Sequence, residues 1–157
     1  MANTTNITVS GLGGQGVLKV TDILAEVLFR AGHDVKKSEV HGMSQRGGSV
    51  SSEVRYGCEV ASPMVPEGES DFLVVLEPTQ IEVNLHKLKA GGVLIIPDDV
   101  PLDKLKNQKA LNIMMLGALS ARLPEIPEEL WTEVLKAFLP EKLHELNLEM
   151  FRLGRQG

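Results

Sequence analysis

One cysteine, one tryptophan, one tyrosine and four phenylalanines are spread over 157 residues, and nowhere do eighteen apolar residues follow one another. The single thiol, Cys58, excludes an intramolecular disulfide and a cysteine-ligated iron–sulfur cluster housed by this chain alone. Without a long apolar run there is no candidate membrane-spanning helix. The opening Met-Ala-Asn-Thr-Thr-Asn lacks the positive and apolar regions of a secretory leader, which points to the cytoplasm. Basic residues are in deficit: 16 Lys and Arg against 21 Asp and Glu give a net charge of −5. With no basic stripe interleaved with aromatics, neither nucleic acid nor membrane is an expected partner. A hydrophobic content of 43% with 24% charged residues fits one globular domain over 1–157 that buries roughly two-thirds of its unfolded surface.

The chain opens on a β-prone run, Ile7-Thr8-Val9-Ser10, that passes into Gly11-Leu12-Gly13-Gly14-Gln15-Gly16. Val17, Val20, Leu24, Val27, Leu28 and Ala31 then recur at helical spacing, with Gly32 placed to end the helix. A second strand over 34–38 completes a βαβ unit over 6–38 with a right-handed crossover expected. In this context the G-x-G-x-x-G pattern reads as a phosphate turn: Gly11 for the tight turn, Gly13 for close approach of backbone N–H groups to an anion, Gly16 for packing of helix on strand. A dinucleotide site also expects an acid ending the second strand. That place holds Lys37 and Ser38, with Glu39 one residue beyond and Asp34 at the wrong end.

The densest chemistry lies in Ser38-Glu39-Val40-His41-Gly42-Met43-Ser44-Gln45-Arg46-Gly47-Gly48. Carboxylate, imidazole, thioether, hydroxyl, amide and guanidinium are bracketed by glycines that let a ligand or another backbone come close. The competing reading is an exposed polar turn. A strand over 49–56 follows, with 57–62 as its hairpin partner and a proline-punctuated loop over 61–68. Cys58 has no basic partner nearby in sequence and reads as inert.

Further on, 71–76 is a continuous apolar run suited to a parallel strand covered on both faces. Glu77-Pro78 opens a helix carrying Ile81, Leu85 and Leu88 inward and stopping at Gly91-Gly92, and 93–96 is the next buried strand. Glu77 thus falls at the carboxyl end of a parallel strand, where open α/β sheets place ligands, and also near a helix N-terminus, which favours a carboxylate. The stretch 97–109 is a polar connector. Residues 111–123 are apolar all round, as in a helix that is buried or at an interface, with Met114 and Met115 as core. Pro127 opens a helix with Trp131, Val134, Leu135 and Phe138 on its stripe. Pro140 opens the last one, with Leu143, Leu146, Met150 and Leu153 on one face and Leu148 and Phe151 on another. His86 and His144 lack metal-ligand spacing and read as surface or capping residues.

Together, the turn 11–18 and the run 35–50 resemble the gamma-type chains of 2-oxoacid:ferredoxin oxidoreductases, in particular their indolepyruvate branch. Ser62-Pro63-Met64-Val65-Pro66-Glu67-Gly68-Glu69-Ser70-Asp71, Leu76-Glu77-Pro78 and Asn112-Ile113-Met114-Met115-Leu116-Gly117-Ala118-Leu119 extend the likeness over most of the chain. The segment 97–107 is shorter than the family pattern, which has a further strand and helix there; a trimmed sheet edge and a missing segment are the two readings.

The expected fold is α/β: a Rossmann-like three-layer arrangement with a mostly parallel sheet, a β-hairpin after the 38–48 loop, and a helical C-terminus. The resemblance implies an accessory subunit of an enzyme that oxidatively decarboxylates a 2-oxoacid to an acyl-coenzyme A, with electrons passing to ferredoxin. Thiamine diphosphate, magnesium and iron–sulfur clusters are expected in partner subunits, coenzyme A as co-substrate, and no cofactor or metal on this chain alone, which should be inactive by itself. A homodimer of the isolated chain is compatible with this. The expected ligand- or interface-binding residues are Gly11, Gly13, Gly14, Gln15 and Gly16 of the turn, and Glu39, His41, Gly42, Met43, Ser44, Gln45, Arg46, Gly47 and Gly48 of the loop. Arg46 would clamp a carboxylate or phosphate bidentately, oriented by His41, Ser44 and Gln45. The alternatives are a stand-alone Rossmann-type nucleotide-binding protein and a non-enzymatic interaction module built on the helix 111–123 and the dimer-ready C-terminal helices.

Overall fold

A computed structural model describes residues 4–41 and 48–157, without the side chains of Val40 and His41. Among the described residues five strands form one sheet: β1 (Thr4–Leu12), β2 (Asp34–His41), β3 (Ser49–Gly57), β4 (Ser70–Val75) and β5 (Leu88–Ile95). Their order is β2-β3-β1-β4-β5. β1 pairs in parallel with β4, and β4 with β5, whereas β3 lies antiparallel between β1 and β2. Four strands therefore run the same way and β3 runs against them.

This alters the expected βαβ unit. β2 does run parallel to β1, but β3 occupies the place beside β1, so the hairpin β2–β3 is inserted into the crossover. The expected return strand over 57–62 does not form; the chain after Gly57 is irregular up to Ser70. β3 instead finds both partners in β1 and β2, which leaves residues 58–69 to cover a face of the sheet.

The two faces differ in chemistry. On one, Ile7, Val9, Val54, Tyr56 and Val74 join a single apolar core with α1 (Val17–Arg30), α3 (Leu111–Ser120), α4 (Glu128–Phe138) and α5 (His144–Gln156). α1 buries Val17, Val20, Ile23, Leu24, Val27 and Leu28, each worth about 1.5–3 kcal/mol when fully removed from water. On the other face, strand residues of alternate register are largely polar. Ser10 and Ser51 hydroxyls meet at 3.0 Å, and Lys87 Nζ donates to Ser51 Oγ at 2.9 Å.

Over that polar face runs the 58–69 strap. Arg55 Nη1 donates to the carbonyls of Ser62 and Met64, both at 2.8 Å, and Ser38 Oγ donates to Pro63 O at 3.1 Å. Backbone N–H of Val60 donates to Asp34 Oδ2 at 2.7 Å. Charged and hydroxyl side chains on the strands thus hold this strap.

The helix expected after Glu77 is replaced by a 3₁₀ turn (Pro78–Gln80), the short α2 (Ile81–Asn84) and a second 3₁₀ turn (Leu85–Lys87). Leu85 is 42% exposed, and the buried member is Asn84, whose Nδ2 donates to Gln80 O at 2.7 Å. Leu88 begins β5, and Gly91 and Gly92 lie inside that strand, at the irregularity that separates its pairing at Ser70 from its pairing at Phe72. The 97–109 connector forms three 3₁₀ turns, and β5 is the outer strand of the sheet.

The apolar helix α3 is buried within the chain, Met114 and Met115 included. It crosses α5 at two glycines: a Cβ on Gly117 would fall on the Phe151 carbonyl, and one on Gly154 on the Met114 carbonyl. The deepest stripe of α5 is Asn147, Met150, Phe151 and Gly154, with Leu146, Leu148 and Leu153 partly buried against the core; both expected apolar faces therefore pack inward, while Leu143, just before the helix, is exposed. His144 closes the preceding helix, its Nε2 lying 2.7 Å from Leu139 O and 3.0 Å from Lys136 O.

Candidate functional site

The strand register brings the two loops of greatest chemical content to one edge of the sheet. Val50 of β3 lies opposite Gly11 on one side and His41 on the other, and Ser49 lies opposite Leu12. The glycine turn and the loop joining β2 to β3 therefore leave the sheet side by side. Gly48, at the end of that loop, accepts the N–H of Gly13 at 2.9 Å. The carboxyl end of β4 is there as well, since Leu76 N donates to Ser10 O at 2.8 Å. Gly42, Met43, Ser44, Gln45, Arg46 and Gly47, with the His41 side chain, lie outside the described residues.

Within the turn the glycine roles differ from the motif's usual assignment. The left-handed residues are Gly14 (φ +91°) and Gly16 (φ +81°), where an L side chain would be strained. Gly11 is the penultimate residue of β1, and a Cβ there would press on Gln15 Oε1, Val17 Cγ2 and Leu76 Cβ. Gly16 faces the Asn112 amide of α3, so its close packing is against a helix rather than a strand. The N–H of Gly13, expected to face an anion, is taken by Gly48. Gln15 N donates to Leu12 O at 3.1 Å. The N–H groups of Gly14, Gly16, Val17 and Leu18 are left with no acceptor among the described residues.

Gln15 fixes the turn from inside. Its Oε1 accepts from Leu12 N at 2.7 Å, and its Nε2 donates to Glu77 Oε1 at 3.0 Å. Glu77 also caps the 3₁₀ turn after it, accepting from Thr79 Oγ1 at 3.2 Å and Thr79 N at 3.5 Å. Both sequence readings of Glu77 thus meet in one side chain, which is engaged in holding the turn. Beside it, Ser49 Oγ donates to Gln80 Oε1 at 2.6 Å.

Two clefts flank the turn. One, of about 300 Å³, lies between Gly14–Gly16 and the start of α3, lined also by Leu76, Gln108, Lys109 and Asn112. The other, of about 500 Å³, opens toward β3 along Leu12, Gly13, Leu18, Lys19 and Val50. Lys19 and Lys109 are exposed and form no ion pair among the described residues. With the open N–H groups and the N-terminal dipole of α1, they make this edge favourable to an anion.

Glu39 lies on β2, two residues before His41. It takes part in an ion pair with Lys37 at 2.6 Å, and Lys37 also reaches Asp22 of α1 at 3.0 Å. Burial works against the charge on Lys37, but the two carboxylates outweigh it and raise its pKa. Sequence reasoning missed Lys19, Gln108, Lys109, Asn112 and Gln80. Asn112 alone carried a signal, as a polar residue opening an otherwise apolar helix: its Nδ2 donates to Gly16 O at 3.3 Å.

Residues 6–157 match the family model described as pyruvate ferredoxin/flavodoxin oxidoreductase, and the chain belongs to that family as a gamma-type member. It is 34% identical over 189 residues to the indolepyruvate oxidoreductase subunit IorB of Thermococcus kodakarensis, covering 95% of this chain and 93% of the relative. That span exceeds the 157 residues present here, so the relative carries residues that this chain lacks. The gamma subunit of a keto/oxoacid ferredoxin oxidoreductase from Geobacter sulfurreducens superimposes with a TM-score of 0.79 at 27% identity, covering 97% of this chain and 96% of that one. The fold is also shared with 30% of the 2-oxoglutarate:ferredoxin oxidoreductase chain of Magnetococcus marinus. There the TM-score is 0.82 at 24% identity over 98% of this chain, and that structure holds 2-oxoglutarate, coenzyme A and succinyl-coenzyme A.

Proposed function

We propose that this chain is the accessory, gamma-type subunit of a cytoplasmic 2-oxoacid:ferredoxin oxidoreductase, a single domain over 1–157 that completes the active-site region of a partner. The overall reaction is oxidative decarboxylation of a 2-oxoacid to an acyl-coenzyme A, with electrons delivered to ferredoxin. Thiamine diphosphate, magnesium and iron–sulfur clusters belong to the partner subunits. A chain with one cysteine cannot ligate a cluster by itself, and no step of the redox chemistry is assigned to its residues.

What this chain supplies is an anion-favouring edge. The convergence of the 12–16 turn, the end of β2, the start of β3 and Glu77–Gln80 around open N–H groups supports this reading. A phosphate of coenzyme A, or a partner carboxylate, would be held by the N–H groups of Gly14, Gly16 and Val17, with Lys19 and Lys109 adding charge. Arg46, with His41, Ser44 and Gln45, would grip a second anionic group from the loop that joins β2 to β3.

The nucleotide-binding alternative loses support from the strand order. A ribose-binding acid belongs on the strand next to β1, and here that place is taken by Ser49 of β3. Glu39 is one strand further out, about 10 Å from β1 at the usual strand spacing. The interaction-module alternative loses its main evidence because α3 is covered by α5.

The test is recovery of the tagged protein from its own cells and assay for 2-oxoacid-dependent reduction of a viologen dye. Co-purification of a thiamine diphosphate and iron–sulfur partner with that activity supports the proposal; an inactive lone homo-oligomer removes it. In the assembled enzyme, Arg46→Ala should raise the apparent KM for oxoacid or coenzyme A without dissociating the complex. Loss of assembly would instead place Arg46 in a subunit contact.

A further inference from the structure

The polar face of the sheet holds a cation without a counter-charge. Lys87, the last residue of the 3₁₀ turn before β5, is half-buried, and its Nζ donates to Ser51 Oγ. Ser51 is 6% exposed, and Ser10, whose hydroxyl meets that of Ser51, is 1% exposed. An ammonium has further N–H donors to place, yet Lys87 forms no ion pair among the described residues. Glu53 and Glu67 act on it only from a distance and are engaged elsewhere: Glu53 Oε1 accepts from Ser38 Oγ and Val65 N, both at 3.4 Å, and Glu67 meets His86 at 3.4 Å. Both favour the charge on Lys87, but burial outweighs them and holds its pKa below the ordinary lysine value.

Residues 1–3 and 42–47 contain no acid, so this sequence supplies no counter-charge. The short 97–107 segment does not bear on the place either. Ser51 is on β3, three positions from β5 in the sheet, which is about 14 Å from that edge at the usual strand spacing. Ser10 and Ser51 instead lie one residue inside the edge of the candidate site, where Gly11 faces Val50. Ser49, with its hydroxyl on Gln80, is on the same sheet face two residues along β3. Lys19 and Lys109 flank that edge from α1 and the start of α3, and Lys87 reaches it from the other face.

Resting on the subunit reading above, we propose that Lys87, held by Ser51 and backed by Ser10, is a carboxylate-binding residue of this site, taking the carboxylate of the 2-oxoacid or that of an acidic side chain of the partner subunit. The two sources present one chemistry, an oxyanion that accepts the remaining N–H groups in charge-assisted hydrogen bonds. A charge drawn partly out of water with a single neutral partner is costly, and an arriving carboxylate relieves that cost. The serines fix the direction of the ammonium, so the incoming group is met by a cation already in place.

The experiment titrates the isolated chain with sodium pyruvate, followed by NMR, and compares the rate at which acetic anhydride acylates Lys87 in the isolated chain and in the complex recovered from its own cells. A saturable shift of the Lys87 Cε and Ser51 amide signals, with the Ser51 response about tenfold weaker in affinity in Lys87→Met and largely kept in Lys87→Arg, assigns the oxoacid. No shift with pyruvate, but acylation about tenfold slower in the complex and partner affinity about tenfold lower in Lys87→Met than in Lys87→Arg, assigns a partner carboxylate. Neither response overturns the proposal and leaves the subunit reading intact. A lower Tm in Lys87→Met would then mark the lysine as a prop for Ser51, whereas loss of an uncompensated cation leaves Tm unchanged or higher. Absence of any co-purified partner counts against the subunit reading, and without a pyruvate response it removes the proposal as well.

Discussion

Gly154→Ala tests the way the helical layer is assembled. The new methyl would fall on the Met114 carbonyl, a backbone atom in the middle of α3 that cannot swing aside as a side chain can. Restoring ordinary contact requires α3 and α5 to part by about 1.5 Å, and a gap of 0.5–1 Å already forfeits a quarter to a half of the contact energy of the atoms lining it. Ile113, Met114, Met150 and Phe151 all line this crossing or adjoin it and are essentially fully buried. Overpacking of this kind costs about 1–3 kcal/mol, and a backbone-on-backbone clash belongs at or above the top of that range. Alanine returns about 0.5–1 kcal/mol through its better helix propensity, leaving a net loss of about 2–3 kcal/mol. For a domain of this size that lowers Tm by about 5–10 °C. The single tryptophan, Trp131, is buried on α4 with its ring centroid 6.0 Å from that of Phe151, so its fluorescence reports the transition from the affected region. Gly117→Ala should behave alike. The double variant should lose less than the sum, because helices already parted accommodate the second methyl more cheaply. A Tm unchanged or raised in Gly154→Ala would refute the glycine-on-glycine crossing.

Gln15→Ala removes the acceptor of Leu12 N and the link to Glu77, and should cost about 1–2 kcal/mol in chemical denaturation, with a larger loss of anion binding measured by phosphate or coenzyme A titration. Arg55→Ala frees the carbonyls of Ser62 and Met64; limited proteolysis should then cut within 58–69 well before the rest of the chain unfolds. For Asp34, the Val60 N–H is the main cause of a pKa below the ordinary carboxylate value. A lowered folded pKa gives stability that is present above the unfolded value, about 3.9, and is lost as pH falls through the folded one. Asp34→Asn should therefore reduce stability at neutral pH and flatten its dependence on pH below about 4, as read from acid denaturation curves.

Local signals located the elements well where periodicity and sterics agree. The apolar spacing of 17–28 gave α1 nearly to the residue, and the unbroken apolar run before Glu77 gave a strand buried on both faces. The failures share a cause, which is that pairing and rotation are set by distant groups. Nothing within 34–57 tells β3 to slip between β1 and β2, because an antiparallel hairpin satisfies its own backbone in either location. α5 carries apolar residues on two faces, and what turns Asn147 and Gly154 inward between them is Gly154 meeting α3; a glycine gives no hydrophobic signal. After Glu77, Leu85 was expected inward on helical spacing, but the helix stops at one turn, and Asn84 turns inward to bond Gln80 O instead.

The candidate site was legible as two motifs and illegible as one place. Gly11–Gly16 and 38–48 each announced chemistry by composition, yet only the register of Val50 against both Gly11 and His41 makes them neighbours. That register also reassigns the ligands. Gly13 is spent on Gly48, so the anion capacity moves to Gly14, Gly16 and the first turn of α1, and toward Lys109 and Asn112 about a hundred residues away. A Gly16→Ala variant separates these contributions. It strains a left-handed residue, at about 1–2 kcal/mol, and drives a methyl into the Asn112 amide, so it should shift the start of α3 and close the 300 Å³ cleft. Gly14→Ala carries the same backbone strain with open space around it. If anion binding depends on that cleft, Gly16→Ala abolishes it while Gly14→Ala weakens it in proportion to its loss of stability. Equal effects from the two variants would mean that the turn's backbone, and not the α3 side of the cleft, holds the ligand.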